Sequence, residues 1–342
     1  MQGVEQMKTH DSAATKRHII GGLQALARAQ GDDIRVQATK LFSSDARYIC
    51  AHPINQMEGL DEIVGRHLAP LKAAFPDLER RDDILMSGSF DGHDWVSATG
   101  YYYGTFRKEW LGLPANGNWT YIRFGEFYKI QAGMIVDAYV ILDMVDVMRQ
   151  IGCNPLPVAL GVEGLCPSPA TQAGLLLAPQ DPEEGDRSLK LAEAMMFEGM
   201  RGFDGVDHDT MNFDRYFTND MMWYGPGGIG SMRGIDGFME RHEIPFNEAW
   251  PDFKGGHHKA RFGDGLFVCS TGWPSIYGTH TGGSWLGLAP TQRKFEMRVM
   301  DWWRREGDWL IENWVFIDIP HLFMQFDRDL FAEARSIAAR RS

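Results

Sequence analysis

Asp301 closes the run Phe295, Met297, Val299 at a spacing of two residues, in the stretch KFEMRVMDWWRREG. In an extended chain, side chains two apart share a face, so the carboxyl is expected on the apolar side of its strand. A carboxylate short of water keeps its proton to higher pH, which suits it to proton transfer near neutrality. The plainer alternative is that it simply pairs with Arg304 or with an amide on a neighbouring strand. His280 stands where the preceding apolar stretch gives way to the loop 281–291. A histidine there can shuttle a proton or donate to a developing enolate oxygen; it can equally bond only to loop backbone. Phe106 occupies the corresponding place earlier in the chain, and that asymmetry favours a functional His280.

Other polar groups are ambiguous. The adjacent His257 and His258 must face opposite ways on an extended segment, so only one can reach a cavity and the two cannot comfortably share a metal ion. With no carboxylate at ligand spacing, no metal is expected. His242 recurs as His67 and Asp318 recurs as Asp143, which points to structural work as helix residues or caps, with pocket lining as the alternative. Trp223, Trp273, Trp285 and Trp314 read as core by type, although an apolar cavity needs some of them at its wall. The pairs Gly227-Gly228 and Gly282-Gly283 lack the strand-to-helix setting of a phosphate loop, and no GxSxG elbow occurs.

These residues lie in a chain written twice. Residues 41–77 align without gaps to 216–252, an offset of 175, with 12 of 37 positions identical, among them Gly59/Gly234, Arg66/Arg241, His67/His242 and Pro76-Asp77/Pro251-Asp252. After small gaps the offset returns at Trp110/Trp285 and Asp143/Asp318. Such a period is far longer than a solenoid unit and marks a duplicated domain. Residues 153–187 hold six of the sixteen prolines and no periodicity, and read as a linker between domains at 1–152 and 188–342. Each copy opens with helical spacing (Ile19, Ile20, Leu23, Leu26) and closes in strands, read at 95–103, 119–130 and 134–142 and again at 266–278, 294–304 and 309–317. The fold class is α+β, a curved antiparallel sheet wrapped over helices around a cone-shaped pocket.

Composition narrows the functions. A net charge of −12 disfavours nucleic acid and anionic membranes. The four cysteines form no CxxC pair, the N-terminus has no apolar core region and no apolar run reaches about 18 residues, so a cytoplasmic protein is expected.

The second copy, with FTNDMMWYGPGG, then YGTHTGGSWLGLAPT, then MDWWRREG and IENWVFID, resembles the SnoaL-like polyketide cyclase family of the NTF2-like superfamily. The first copy departs from the pattern at Phe106 and Glu126, which stand for His280 and Asp301. The resemblance implies two tandem cone-shaped barrels, and ring closure by an intramolecular aldol reaction without metal or organic cofactor, with Asp301 as acid/base and His280 assisting. It further implies a small apolar or carbonyl-containing ligand in the second pocket. The first domain would stand in for the partner subunit of a homodimer, making an intramolecular pseudo-dimer. Relatives in the superfamily that isomerise, dehydrate or hydrolyse epoxides in the same cavity keep those reactions open beside cyclisation, and relatives that only bind or assemble keep a non-catalytic reading open, since a fold alone does not fix function.

Overall fold

The computed structural model describes residues 12–203 and 205–341. The N-terminal half carries strands β1 (Phe42–Cys50), β2 (Gln56–Glu58), β3 (Glu79–Phe90), β4 (His93–Thr105), β5 (Trp119–Gln131) and β6 (Met134–Leu142). The C-terminal half carries β7 (Phe217–Tyr224), β8 (Met232–Arg233), β9 (Lys254–Gly255), β10 (His258–Asp264), β11 (Phe267–Thr279), β12 (Lys294–Glu306) and β13 (Trp309–Ile317). Helices lie against one face of each sheet; in Ser12–Arg28 the buried Ile19, Ile20, Leu23 and Leu26 follow helical spacing.

The sheet orders are β2-β1-β6-β5-β4-β3 and β10-β11-β12-β13-β7-β8, with β9 on β11. They correct the expectation of a wholly antiparallel sheet, because β1 pairs with β6, and β7 with β13, in parallel. The first strand and the last meet only after a helical crossover and three hairpin-linked strands, a connection long enough to permit parallel pairing. Strands β1, β3, β7 and β10 were not among those read from the sequence.

The duplication is visible down to backbone torsions. Gly59 and Gly234 both sit at φ 74°, and a Cβ there would press on the carbonyl oxygens of Ser44 and Asn219, themselves 175 residues apart. Only glycine takes that conformation without strain. Asp143 and Asp318 each cap a helix, accepting from the backbone N–H groups of Asp146 and His321.

The halves pack sheet against sheet through the faces opposite their helices. Phe127 and Trp302, equivalent at offset 175, meet with centroids 5.1 Å apart, and Trp302 Nε1 donates to Ser97 Oγ at 2.9 Å. The contacts are reciprocal: Gly227 N donates to Asp143 Oδ2 at 2.9 Å, and its counterpart His52 N donates to Asp318 Oδ2 at 3.1 Å. Such reciprocity is the mark of an isologous interface. Lys16 and Asp264 add a fully enclosed ion pair of 2.7 Å between the halves.

The proline-rich segment is no loose tether. Helix Pro182–Ala194 begins inside it, Leu175 bridges Leu85, Val162 bridges Ser231, and Trp314 Nε1 donates to the Pro167 carbonyl at 2.8 Å. Among the described residues no helix is long and apolar enough to cross a membrane.

Candidate active site

The concave side of the C-terminal sheet encloses a cavity of about 690 Å³. Strand alternation builds its wall: Met297, Val299, Asp301 and Trp303 of β12 face inward, while Met300 and Trp302 face the other half. Asn313, Val315 and Ile317 of β13 continue that wall; Phe238, His242, Glu243 and Phe246 close it from the helical side.

Asp301 is opposite Ser270 on one side and Val315 on the other. Burial pushes its carboxyl up to about 7, with a hydrogen bond from Asn313 pulling weakly the other way and no cation contributing. The alternative ion pair with Arg304 does not form, because Arg304 lies on the opposite face and pairs with Glu312, whereas the amide of Asn313 on the neighbouring strand does reach Asp301. Ser270 Oγ lies 2.7 Å from His258 Nδ1, so His258 and Asp301 meet at the same serine position. Burial first, then the charges of Arg261 and Arg201, push the His258 ring down to about 4.

A second carboxyl lies on the helical wall. Glu243 takes a hydrogen bond from Asn247 Nδ2 at 3.1 Å, and burial raises it to about 7. Next to it His242 stacks on Trp223 at 4.2 Å between centroids and is pushed by burial to about 3, which keeps the ring neutral at physiological pH. Among the described residues no three His, Cys, Asp or Glu side chains gather as a metal would require.

The other predicted site residues divide. Trp223, His242 and His258 line the cavity with Asp301; His257 does not, as the opposed faces of adjacent residues require. His280 is corrected: it is fully buried outside the cavity, Nε2 bonded to the Gly283 carbonyl at 3.1 Å and the ring packed on Trp250 at 4.6 Å. Phe106 packs on Phe75, the counterpart of Trp250, at 4.7 Å, so the two residues fill one packing position in two halves. Trp285 joins that same cluster through Trp250. Trp273 and Trp314 lie on the outer face of the sheet, Trp273 against Tyr139 of the other half and Trp314 against Tyr224 of its own sheet and Pro167 of the connecting segment, and Asp318 is committed to its cap, His52 and Arg298. All four leave the pocket set, because each sits on the outer face or beyond the cone's end.

Sequence reasoning missed Glu243, Ser270 and Asn313. A signal existed: their counterparts are Leu68, Ala98 and Ala138, three apolar residues where the second copy is polar.

In the N-terminal half the equivalent space is filled. Ile122, Phe124, Glu126 and Tyr128 replace Met297, Val299, Asp301 and Trp303, and Arg80 replaces Gly255. Arg80 Nη2 bonds Glu126 Oε2 at 2.7 Å and Asp82 Oδ1 at 2.6 Å, while Nη1 reaches Tyr102 OH at 2.7 Å and the guanidinium lies 4.2 Å from the Phe124 centroid. A small cavity of about 30 Å³ lies on that side, beside His67 and Tyr102.

Comparison with known proteins follows the same division. No curated protein matches the chain. A solved candidate SnoaL-like polyketide cyclase of Jannaschia sp. CCS1 is 18% identical, covering 45% of this chain and 100% of its own, with a TM-score of 0.36. IdmH, a candidate polyketide cyclase of Streptomyces antibioticus, is 18% identical over 39% of this chain and 97% of its own, with a TM-score of 0.33. A phenazine biosynthesis-related protein of Pseudomonas aeruginosa is 17% identical over 49% and 96%, with a TM-score of 0.32. The family model for SnoaL-like polyketide cyclase matches twice, at residues 27–151 and 200–326. The chain belongs to the SnoaL-like polyketide cyclase family, as a tandem pair of its domains.

Proposed function

We propose that the C-terminal half is a general acid/base enzyme acting on an apolar carbonyl compound, closing a ring by carbon–carbon bond formation. The observation that carries this reading is Asp301: a carboxyl without a cationic partner, on the wall of a large apolar cavity, held near pH 7 by burial. That balance lets one group take a proton and return it.

Asp301 as carboxylate removes a proton from carbon next to the substrate carbonyl, and the electron pair moves onto the carbonyl oxygen. His258, neutral and with Nδ1 occupied by the Ser270 hydroxyl, presents Nε2–H to that enolate oxygen. The enolate carbon attacks a second carbonyl of the same substrate. Glu243, protonated, hands its proton to the new alkoxide, and proton return from Asp301 to Glu243 resets the site.

The test is Asp301→Asn. Turnover of a diketone substrate is expected to fall by about 10³-fold with binding retained; unchanged turnover rejects the assignment. For the N-terminal half we propose a scaffold role, supported by its filled interior.

A further inference from the structure

Two cations stand at the mouth of the C-terminal cavity, and neither has a carboxylate within ion-pair distance among the described residues: Arg201, in Met200–Gly202, and Lys254, on β9. This sets them apart from Arg80, Arg123, Arg261, Arg298, Arg304 and Arg305, each of which holds an acidic partner. Arg201 is nevertheless held in place. Its guanidinium lies 4.9 Å from the Phe197 centroid, and a Cβ on Gly255 would come within 3.4 Å of its Nη2. It is therefore laid across the β9 edge, next to Lys254, and its charge reaches His258. The acid nearest Lys254 in sequence, Asp252, takes its hydrogen bonds from Thr279, whose N and Oγ1 bond it at 2.6 and 2.7 Å, and feels the Lys254 charge only from beyond ion-pair distance.

In a chain of net charge −12, two positive side chains on the rim of an apolar cavity make a local attractor for a negative group. Asp301 and Glu243, deeper in the same space, favour an uncharged body inside. Room at the mouth comes from Gly255, where the other half has Arg80.

We infer that the substrate is an amphiphilic carbonyl acid, its apolar body inside the cavity and its anionic group held at the mouth by Arg201 and Lys254. The inference rests on taking this cavity as the substrate site. It makes Arg201 and Lys254 specificity determinants, since a bidentate guanidinium contact and an ammonium together favour an acid over its neutral analogue.

The experiment uses two probes with the same ring systems, 8-anilinonaphthalene-1-sulfonate and N-phenyl-1-naphthylamine, which differ by the sulfonate. Titrated by fluorescence against the full chain, the sulfonate is expected to bind about tenfold more tightly at low salt, with the advantage shrinking as salt rises. The Arg201→Gln, Lys254→Gln double variant should lose that advantage, and its unfolding midpoint should not move, because both side chains are exposed. Adding Lys254→Glu to Arg201→Gln should make the neutral probe the preferred one. Equal binding of both probes to the native chain, or a preference that survives the double substitution, overturns the inference. Displacement of the sulfonate by 1-naphthoate identifies a carboxylate as the natural acid, and displacement by 1-naphthyl phosphate alone identifies a phosphate. The readout is binding, so its failure leaves the Asp301 mechanism standing. An Asp301→Asn variant that still turns over would end that mechanism without altering probe preference.

Discussion

The two halves share a fold, a register and many capping residues, yet one encloses a cavity of about 690 Å³ where the other is filled by the Arg80, Asp82 and Glu126 cluster. The difference is made by few positions. Where the C-terminal half has Gly255, Val299 and Asp301, the N-terminal half has Arg80, Phe124 and Glu126, and the arginine reaches inward to satisfy the glutamate. A carboxyl on the same strand position is thus raised to about 7 by burial in one half and is half of an ion pair in the other. A cation beside a buried carboxyl holds it charged, and burial without one favours its protonated form.

The comparison breaks most sharply at the carboxyls themselves. Asp301→Asn is expected to cost about 10³-fold in turnover, whereas Glu126→Gln should leave turnover unchanged and only loosen the N-terminal core. The stability effects differ in sign. Because the folded-state value of Asp301 is raised to about 7, its favourable contribution is complete below the unfolded value near 3.8 and is lost as pH rises through 7. The asparagine variant escapes that loss. It should match the native chain at pH 4 and gain on the order of 2 kcal/mol at pH 8, allowing for partial screening in the cavity, as read by urea denaturation. A variant destabilised at pH 8 would mean that Asp301 is held in its charged form.

Next in size is the plug. Arg80→Ala should cost about 3 kcal/mol or more, since it strands Glu126 and Asp82 as buried carboxylates. The loss should be relieved when Glu126→Gln and Asp82→Asn are added. If Arg80→Ala alone is neutral, the triad does not hold the N-terminal core together.

Much of this is legible in the sequence. The offset of 175 located the paired caps, and the spacing of Met297, Val299 and Asp301 gave the inward face of β12. The strands β3 and β10 were hidden for a physical reason. In β3 the inward positions include Arg80 and Asp82, so charge sits where alternation leads one to look for apolar side chains. The mixed sheet was hidden too, because parallel pairing of β1 with β6 is a property of chain path and leaves no local pattern. Glu243 lay beside a histidine assigned to structure, and only its apolar counterpart Leu68 distinguishes it.

A smaller effect is expected from giving the C-terminal half the feature that closes its sister. Gly255→Arg places a long cation against Arg201, whose Nη2 already lies within 3.4 Å of where a Cβ would stand. The arginine is expected to swing inward toward Asp301, lowering probe affinity about tenfold and pulling the Asp301 titration down toward the ordinary carboxylate range. Retained affinity with an unmoved titration would show that Arg80 alone does not account for the filled half.

The smallest expected effect concerns His280, because the comparison assigns it a packing role. In both halves an aromatic-sized side chain at this position rests on the residue 31 or 30 before it, Phe106 on Phe75 and His280 on Trp250. His280→Phe therefore installs the side chain that the N-terminal half already uses. It forfeits the hydrogen bond to the Gly283 carbonyl, at a cost of about 1 kcal/mol, and leaves turnover and its pH profile in place. The measurement is kcat against pH for the native chain and the variant. A fall of about 10²-fold or more in kcat, with the fold intact, would return His280 to the chemistry and would require the 281–291 loop to carry its ring into the cavity during turnover.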